Sequence, residues 1–126
     1  MSPVEILKAL GDETRLRAAC LLTAGELCVC DLEHCIGVSQ SNLSRHLAKL
    51  RGAGLLVSRK RAQWVYYRLA EECITGHPEL FTLLRRLSEE RMPFKRDHLT
   101  LTARLREKGT CSVSRKHPAF NNRRNA

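Results

Sequence analysis

The chain has 126 residues, of which 43% are hydrophobic, which is enough for one packed domain and too many for a fully disordered chain. Its 22 lysines and arginines outnumber 13 acidic residues, and the resulting net charge of +9 makes nucleic acid the expected partner. Aromatic residues make up only 5%, which argues against a stacking platform for single-stranded nucleic acid, and no apolar run approaches the ~20 residues of a membrane-spanning helix.

The first third of the sequence predicts short helices separated by glycines. Residues 4–10 have the composition of a first helix. Asp12 suits the N-cap of the next helix, because its carboxylate can accept from the first free backbone amides. Residues 28–36 are then predicted as a helix of about two turns, which Gly37 closes.

A helix with a clear buried stripe follows. Ser39 suits its N-cap, and Leu43, Leu47 and Leu50 recur at offsets of four and seven. With the preceding short helix it predicts a helix-turn-helix, whose second helix enters the major groove of DNA. His46 borders the leucine stripe and is expected to pack rather than to contact a base. The polar residues on the open side suit base and phosphate contacts, and they are Gln40, Ser41, Ser44, Arg45 and Lys49.

After this helix the hydrophobic period changes to that of strands. Residues 55–60 and 64–69 are rich in strand-forming residues and flank a basic tip. They predict a β-hairpin, and with the helices before them a mostly α fold of the winged helix-turn-helix class. The tip residues Arg59, Lys60 and Arg61 suit contacts to phosphates or to the minor groove.

Residues 77–92 return to a helical period. Their apolar stripe consists of Leu80, Leu83, Leu84 and Leu87. The stripe is a candidate dimer seam, although core packing alone would give the same pattern. The thin core of so short a chain also favours a dimer. We predict a DNA-binding and dimerisation domain at residues 1–92, and a basic C-terminal extension at residues 93–126 that is partly helical and then mobile.

Four stretches of the sequence resemble the ArsR/SmtB metal-responsive repressors. They are LGDETRLR (10–17), ELCVCDL (26–32), VSQSNLSRHLAKLRGAGLL (38–56) and WVYYRL (64–69). ELCVCDL followed by SQ and SRHL is specific to the arsenical-repressor branch of that family. The resemblance implies a homodimeric winged helix that represses a resistance operon. Such a repressor binds an inverted-repeat operator in double-stranded DNA and releases it when an inducer binds.

The sequence departs from the family pattern at three places. The arsenical branch often has a third cysteine shortly after Cys-x-Cys, where this chain has Glu33, and Cys35 lies two positions later. The wing turn usually carries glycine, where this chain has Ala62. If that turn needs a left-handed residue, alanine costs ~1 kcal/mol or more. The acid-and-histidine pattern of the zinc-sensing branch is absent from the sequence.

The cysteines predict a soft-metal site. The sequence start lacks the basic and apolar regions of a signal peptide, so we expect a cytoplasmic protein with free or metal-bound thiols. Thiolates suit arsenite and antimonite, and also zinc, cadmium or lead. We predict Cys28 and Cys30 as two ligands and Cys35 as the third, with Cys111 of the tail as the alternative third. No resident cofactor is required.

Helix geometry limits how these thiols can meet. On an ideal helix, Cys28 and Cys30 point ~200° apart and Cys30 and Cys35 differ by ~140°, so no pair shares an ion while the helix is intact. We therefore expect inducer binding to distort the helix at 28–35, to move the reading helix and to shift the population away from DNA binding.

Three other functions compete with this interpretation. A sensor of redox state or reactive sulfur would use the same thiols, with Cys111 a less strained disulfide partner than the neighbouring cysteines are for each other. A thiol oxidoreductase is disfavoured, since no nucleophile with a paired base is found, and we expect no enzymatic activity. A purely architectural basic protein would bind DNA without sequence preference.

Overall fold

The computed structural model describes residues 2–107 of the chain. Its elements are α1 (Pro3–Leu10), α2 (Glu13–Leu21), a 3-10 turn (Leu22–Ala24), β1 (Leu27–Cys28), α3 (Val29–Ile36), α4 (Gln40–Gly52), β2 (Leu56–Arg61), β3 (Trp64–Leu69), α5 (Glu71–Gly76), α6 (Pro78–Glu90) and α7 (Phe94–Arg106). This order confirms the predicted mostly α fold with a β-hairpin wing. Within the described range, no helix is long and apolar enough to cross a membrane.

Side-chain caps start the helices of the helix-turn-helix region where the sequence predicted them. The carboxylate of Asp12 accepts from the backbone N–H of Arg15 at 3.1 Å at the start of α2. The hydroxyl of Ser39 accepts from the backbone N–H of Asn42 at 3.2 Å at the start of α4. Gly37 ends α3 with a φ of 82°, a left-handed conformation that glycine adopts without strain.

The core lies between the helices and the inner face of the sheet. Leu43, Leu47 and Leu50 of α4 are each 0% exposed, which confirms the predicted stripe. On α6 the predicted stripe divides, because Leu84 is 0% exposed and belongs to the core, whereas Leu83 is 52% exposed. A single apolar stripe therefore serves both the core and the surface on this helix.

The sheet has a third strand that the sequence did not predict. Its order is β1-β3-β2, and the short β1 pairs antiparallel with β3, so that Leu27 faces Tyr67 and Cys28 faces Tyr66. The prediction that a helix starts at residue 28 was wrong. Cys28 has an extended backbone (φ −72°, ψ 148°) because it is paired with β3, and α3 starts at Val29.

The wing is a tight hairpin. Arg61 of β2 pairs with Trp64 of β3, so only Ala62 and Gln63 form the turn. Ala62 has a φ of 56°. The turn therefore requires the left-handed residue that the family pattern supplies as glycine, and this chain places an alanine there.

Helix α7 packs against α2, α3 and α6. Leu101 is buried in this contact, and two ion pairs reinforce it. Arg17 of α2 donates to Asp97 at 2.7 and 2.8 Å, and Arg104 donates to Asp31 of α3 at 2.9 Å. The predicted extension thus begins with a helix docked on the rest of the fold, and the division at residues 92 and 93 stays a prediction.

Candidate thiol site and nucleic-acid interface

Cys28 and Cys30, here called the thiol pair, lie at the start of α3. Cys30 is disulfide-bonded in the structure, which departs from the expectation of free or metal-bound thiols, so it is available as a thiol only in the reduced protein. Cys28 is the N-cap residue, and its Sγ accepts from the backbone N–H of Cys30 at 3.4 Å. The two sulfur atoms are 2.9 Å apart. The expectation that these thiols point apart on an intact helix was wrong. It treated Cys28 as a helical residue, whereas its extended backbone turns the side chain back over the first turn of α3.

The donor chemistry of the thiol pair fits a soft ion in part. Two sulfurs bound at about 2.3 Å to one tetrahedral zinc ion are about 3.8 Å apart, so the pair would have to open by less than about 1 Å. Arsenite prefers three sulfurs, however. Within residues 2–107 the structure holds no group of three or more metal-ligating side chains close enough to share an ion.

Burial keeps the thiol of Cys28 protonated at neutral pH. Cys28 is 0% exposed, and burial raises its pKa to about 11, against the opposing effect of the hydrogen bond from the backbone N–H of Cys30. A divalent metal ion that binds there must displace a proton, because the thiolate is the ligand. Without a ligand, this sulfur acts as a structural cap.

Asp31 connects the thiol pair to α7. One carboxylate oxygen accepts from the backbone N–H of Cys28 at 3.2 Å, and the other accepts from Nε of Arg104 at 2.9 Å. Burial raises the pKa of Asp31, and the Arg104 guanidinium opposes that rise. The start of α3 is therefore held by a carboxylate whose charge depends on an arginine 73 positions later in the chain.

Cys35 lies apart from the thiol pair, on the last turn of α3. It is half-buried, and burial raises its pKa to about 12, helped by the nearby charges of Asp31 and Asp97. It lies five positions after Cys30, which is ~7.5 Å along the helix axis. The structure does not bring Cys35 to the thiol pair, and Cys111, the alternative third ligand, lies outside the described residues.

The outer face of α4 presents the predicted base-reading side chains to solvent. The exposed residues are Gln40, Ser41, Ser44, Arg45 and Lys49. His46 is half-buried and its Nδ1 lies 3.1 Å from Arg15 of α2, which agrees with a packing role. A helix held by buried leucines and open on its other face has the geometry required for insertion into a major groove.

The three basic residues predicted at the wing tip separate into two groups. Lys60 and Arg61 are exposed at the tip. Arg59 instead donates two hydrogen bonds to Glu26, at 2.8 and 2.6 Å, and its guanidinium lies 5.9 Å from the ring centre of Tyr66. Its main contacts are therefore at the base of the wing.

Sequence reasoning missed the roles of Glu26 and Asp31. Both are acids in the otherwise apolar stretch 26–32, and both are buried, at 2% and 0% exposure. An acid in an apolar segment signals a buried ion pair, because an unpaired buried charge is too costly. A buried acid predicts that a basic side chain pairs with it but not which one, because the partners Arg59 and Arg104 are far away in sequence.

Comparison with known proteins agrees with this geometry. A model of the family described as bacterial regulatory protein, arsR family, matches residues 12–58, which include α2, α3 and α4. The solved structure of HlyU from Vibrio cholerae is 44% identical, with a TM-score of 0.60 over 67% of this chain and 88% of that one. This chain belongs to the ArsR family. The members it matches are transcriptional regulators and not enzymes, in agreement with the sequence-based expectation.

Other relatives of this ArsR-family chain are arsenic regulators. Arsenic resistance transcriptional regulator ArsR1 of Pseudomonas putida is 48% identical over 81 residues, 64% of this chain and 58% of that protein. The arsenical resistance operon repressor of Escherichia coli is 54% identical over 69 residues, 54% of this chain and 59% of that protein. The matched part of the chain thus spans less than two thirds of either relative.

A second solved structure, of a homodimeric relative, has the same fold. The homodimeric winged helix-turn-helix DNA-binding domain of a possible ArsR-family regulator from Mycobacterium bovis is 30% identical. Its TM-score is 0.58 over 69% of this chain and 78% of that one. The likeness confirms the winged helix fold for this ArsR-family chain.

Proposed function

We propose that this chain is a cytoplasmic, homodimeric repressor that binds an inverted-repeat operator in double-stranded DNA. Arsenite or antimonite, bound to cysteine thiolates, releases it. The observation that carries the proposal is the thiol pair, with two sulfurs 2.9 Å apart at the N-cap of α3, the first helix of the helix-turn-helix. The similarity to two arsenic regulators supports the choice of inducer.

The proposed ligands are the two sulfurs of the thiol pair and one further thiolate. Cys35 is the first choice for the third ligand because it lies on the same helix, and Cys111 is the alternative. Since the thiol pair is already together, the movement needed to complete the site falls on the third ligand or on the start of α3. The distortion of α3 that we predict is thus concentrated at its N-terminus.

Release of DNA follows because the Cys28 sulfur is both the N-cap of α3 and a proposed ligand of the inducer. In the structure this sulfur accepts the Cys30 N–H, and Asp31 accepts the Cys28 N–H, so the two residues cap α3 reciprocally. A sulfur bonded to an ion is a weaker acceptor, and the loss of an N-cap costs about 1 kcal/mol. Because only residues 37–39 connect α3 to α4, a change in α3 shifts the reading helix.

The DNA contacts that we propose combine the exposed face of α4 with the wing tip. On α4 they are Gln40, Ser41, Ser44, Arg45 and Lys49, and on the wing they are Lys60 and Arg61, all of which are exposed. Arg59 is retained as a phosphate contact only for the part of its side chain, 32%, that stays accessible beside Glu26. Its principal role is support of the wing.

Exposed apolar side chains support the proposed homodimer. Val4 and Leu7 of α1 are 59% and 67% exposed, and Leu99 of α7 is 56% exposed. A lone domain gains stability by covering such residues with a second copy. Within the α6 stripe only Leu83 is classed as exposed, at 52%, so the seam predicted there requires help from α1 or α7.

Fluorescence anisotropy of a duplex that carries the upstream inverted repeat tests the proposal. Reduced protein is titrated first, and arsenite is then added. Cys28→Ser and Cys30→Ser should bind DNA and resist arsenite, and whichever of Cys35→Ser or Cys111→Ser also resists identifies the third ligand. Serine is a preferred N-cap residue, so Cys28→Ser should keep the start of α3. Cys73→Ala, at a buried cysteine of α5, is the matched control and should respond like wild type.

A second function, a sensor of reactive sulfur, redox state or another soft metal on the same fold, has one observation in its favour. The described residues bring two sulfurs together and no third ligand, whereas arsenite prefers three sulfurs, and thiolates also bind other soft metals and can be oxidised. If arsenite leaves the complex intact while cadmium or a persulfide releases it, the second function replaces the first. If none of them releases DNA, both are wrong.

A further inference from the structure

The wing is fastened to the segment that leads into the thiol pair. Glu26 lies two residues before Cys28, and its side chain is 2% exposed. Arg59 of β2 holds both of its carboxylate oxygens, with Nε 2.8 Å from Oε2 and a terminal nitrogen 2.6 Å from Oε1. A fork of two charge-assisted hydrogen bonds fixes direction as well as distance, so these two side chains move together.

A second connection joins the same two places through the sheet. Tyr66 of β3 faces Cys28 on one side and Arg59 on the other. The Arg59 guanidinium also lies over the Tyr66 ring, 5.9 Å from its centre. The sulfur-bearing residue and the base of the wing are therefore linked twice, once through Tyr66 and once through Glu26.

We propose that Glu26 and Arg59 are positioning residues that transmit inducer binding at the thiol pair to the wing. This inference rests on the proposed function and specifies how DNA is released. A displacement of Cys28 moves β1, and with it Glu26, so that the paired arginine and the hairpin shift. Lys60 and Arg61, which follow Arg59 on the same strand, then leave the position in which they meet the phosphates.

The buried carboxylate makes this connection firm. Glu26 cannot move away from Arg59 without losing two charge-assisted hydrogen bonds in the protein interior, which is unfavourable. The ion pair therefore follows the displacement of β1. This route adds to the one through residues 37–39, because it acts on the wing and not on the reading helix.

The coupling is the ratio of DNA dissociation constants with and without arsenite, measured for wild type, Glu26→Gln and Asp97→Asn. Glu26 is too deeply buried to meet DNA, so a change in its ratio does not report a lost DNA contact. Couplings between sites are typically about 5- to 150-fold. We expect the ratio of Glu26→Gln to fall by about fivefold or more, to the low end of that range. Asp97→Asn is the matched control, since it breaks a buried, two-pronged arginine pair away from the wing, and its ratio should stay at the wild-type value.

Hydrogen–deuterium exchange distinguishes a positioning role of Glu26 from a merely structural one. Arsenite should speed exchange of the β2 and β3 amides in wild type and in Asp97→Asn, and should leave it unchanged in Glu26→Gln. If Glu26→Gln does not fold, Arg59→Lys replaces it, because lysine keeps the charge and loses the fork. Its ratio should fall in the same direction.

The outcomes separate the two proposals. If arsenite releases wild type and releases Glu26→Gln or Arg59→Lys by the same factor, the positioning role is overturned and the repressor function stands. An equal fall for Asp97→Asn also overturns it, since a general loss of rigidity would then explain the result. If arsenite releases no protein, wild type included, both proposals fail.

Discussion

Helices α3 and α4 are neighbours in the chain, separated only by residues 37–39, but they are held in different ways. Helix α4 begins at Ser39 and packs against the core through leucines that are 0% exposed. Helix α3 begins at a cysteine N-cap, beside the buried carboxylate of Asp31. The reading helix thus depends on apolar packing, and the start of the other helix depends on sulfur and carboxylate.

This difference separates the proposed reading of DNA by α4 from the proposed binding of the inducer at the start of α3. A soft ion has no means of competing with leucine packing, whereas it competes directly for a sulfur that serves as a helix cap. The helix proposed to read DNA therefore keeps its shape while the start of the proposed sensing helix changes. Variants that weaken one helix and spare the other test whether the two helices are stabilised separately.

The largest effect is expected at Asp31. Asp31→Ala leaves Arg104, only 16% exposed, without its carboxylate, and it removes the acceptor of the Cys28 N–H. Breaking a buried pair on one side should lower the free energy of unfolding by about 4 kcal/mol. Urea unfolding measures it. The double variant Asp31→Ala, Arg104→Leu should recover part of the loss, and a loss below about 1 kcal/mol for the single variant would contradict a structural ion pair.

The next effect concerns α4. Leu47→Ala should lower the free energy of unfolding by about 3 kcal/mol, because it opens a cavity at a fully buried position. The factor by which arsenite weakens DNA binding should stay unchanged in the folded variant. Ala48→Ser, at the next and exposed position, is the control and should change stability by less than about 0.5 kcal/mol. A changed arsenite factor in Leu47→Ala would show that the leucine packing of α4 takes part in the response to arsenite.

Alkaline pH should act outside α4, since α4 has no cysteine. Burial raises the pKa of Cys20 of α2 to about 12 from an ordinary value of 9.0. The folded state thus favours the protonated thiol, so its contribution to stability is full below pH 9 and is lost as pH rises towards 12. The expected slope is about 1.4 kcal/mol per pH unit for one such group. Urea unfolding at several values above pH 9 should show a shallower loss for Cys20→Ala, and equal slopes would refute the assignment.

The smallest effect is expected in the wing, away from both helices. Ala62→Gly should raise the free energy of unfolding by about 1 kcal/mol, because alanine is strained at a φ of 56° and glycine is not. Thermal unfolding measures the gain. Gln63→Gly, at the neighbouring turn position where φ is not positive, should not stabilise the protein. A loss of stability in Ala62→Gly would mean that the turn is held by something other than its backbone conformation.

Local patterns predicted most of this fold. The leucine stripe and serine cap of α4 were predictable because a helix repeats within a few residues, and the wing was predictable from its change of period. The family resemblance added the positive φ at Ala62. Each of these features depends on residues that are close together in the sequence.

What the sequence left out depends on distant residues. The two-residue β1 exists only because β3, almost 40 positions later, offers it a partner, and that pairing turns Cys28 into a cap. The same holds for the two buried ion pairs, since the arginines that pair with Glu26 and Asp31 lie 33 and 73 positions later in the chain. Helix periodicity alone therefore gave the wrong geometry for the one pair of thiols on which the proposed function depends.

The two outer strands of the sheet also bear on solubility. A sheet edge presents unpaired backbone groups to which other chains can add, a common start of aggregation. Here β1 has two residues, and β2, the other edge, carries Arg59, Lys60 and Arg61. One edge is too short to be a template and the other repels copies of itself by its charge. The same basic strand that is proposed to attract a phosphate backbone thus keeps the sheet from growing by edge-to-edge addition.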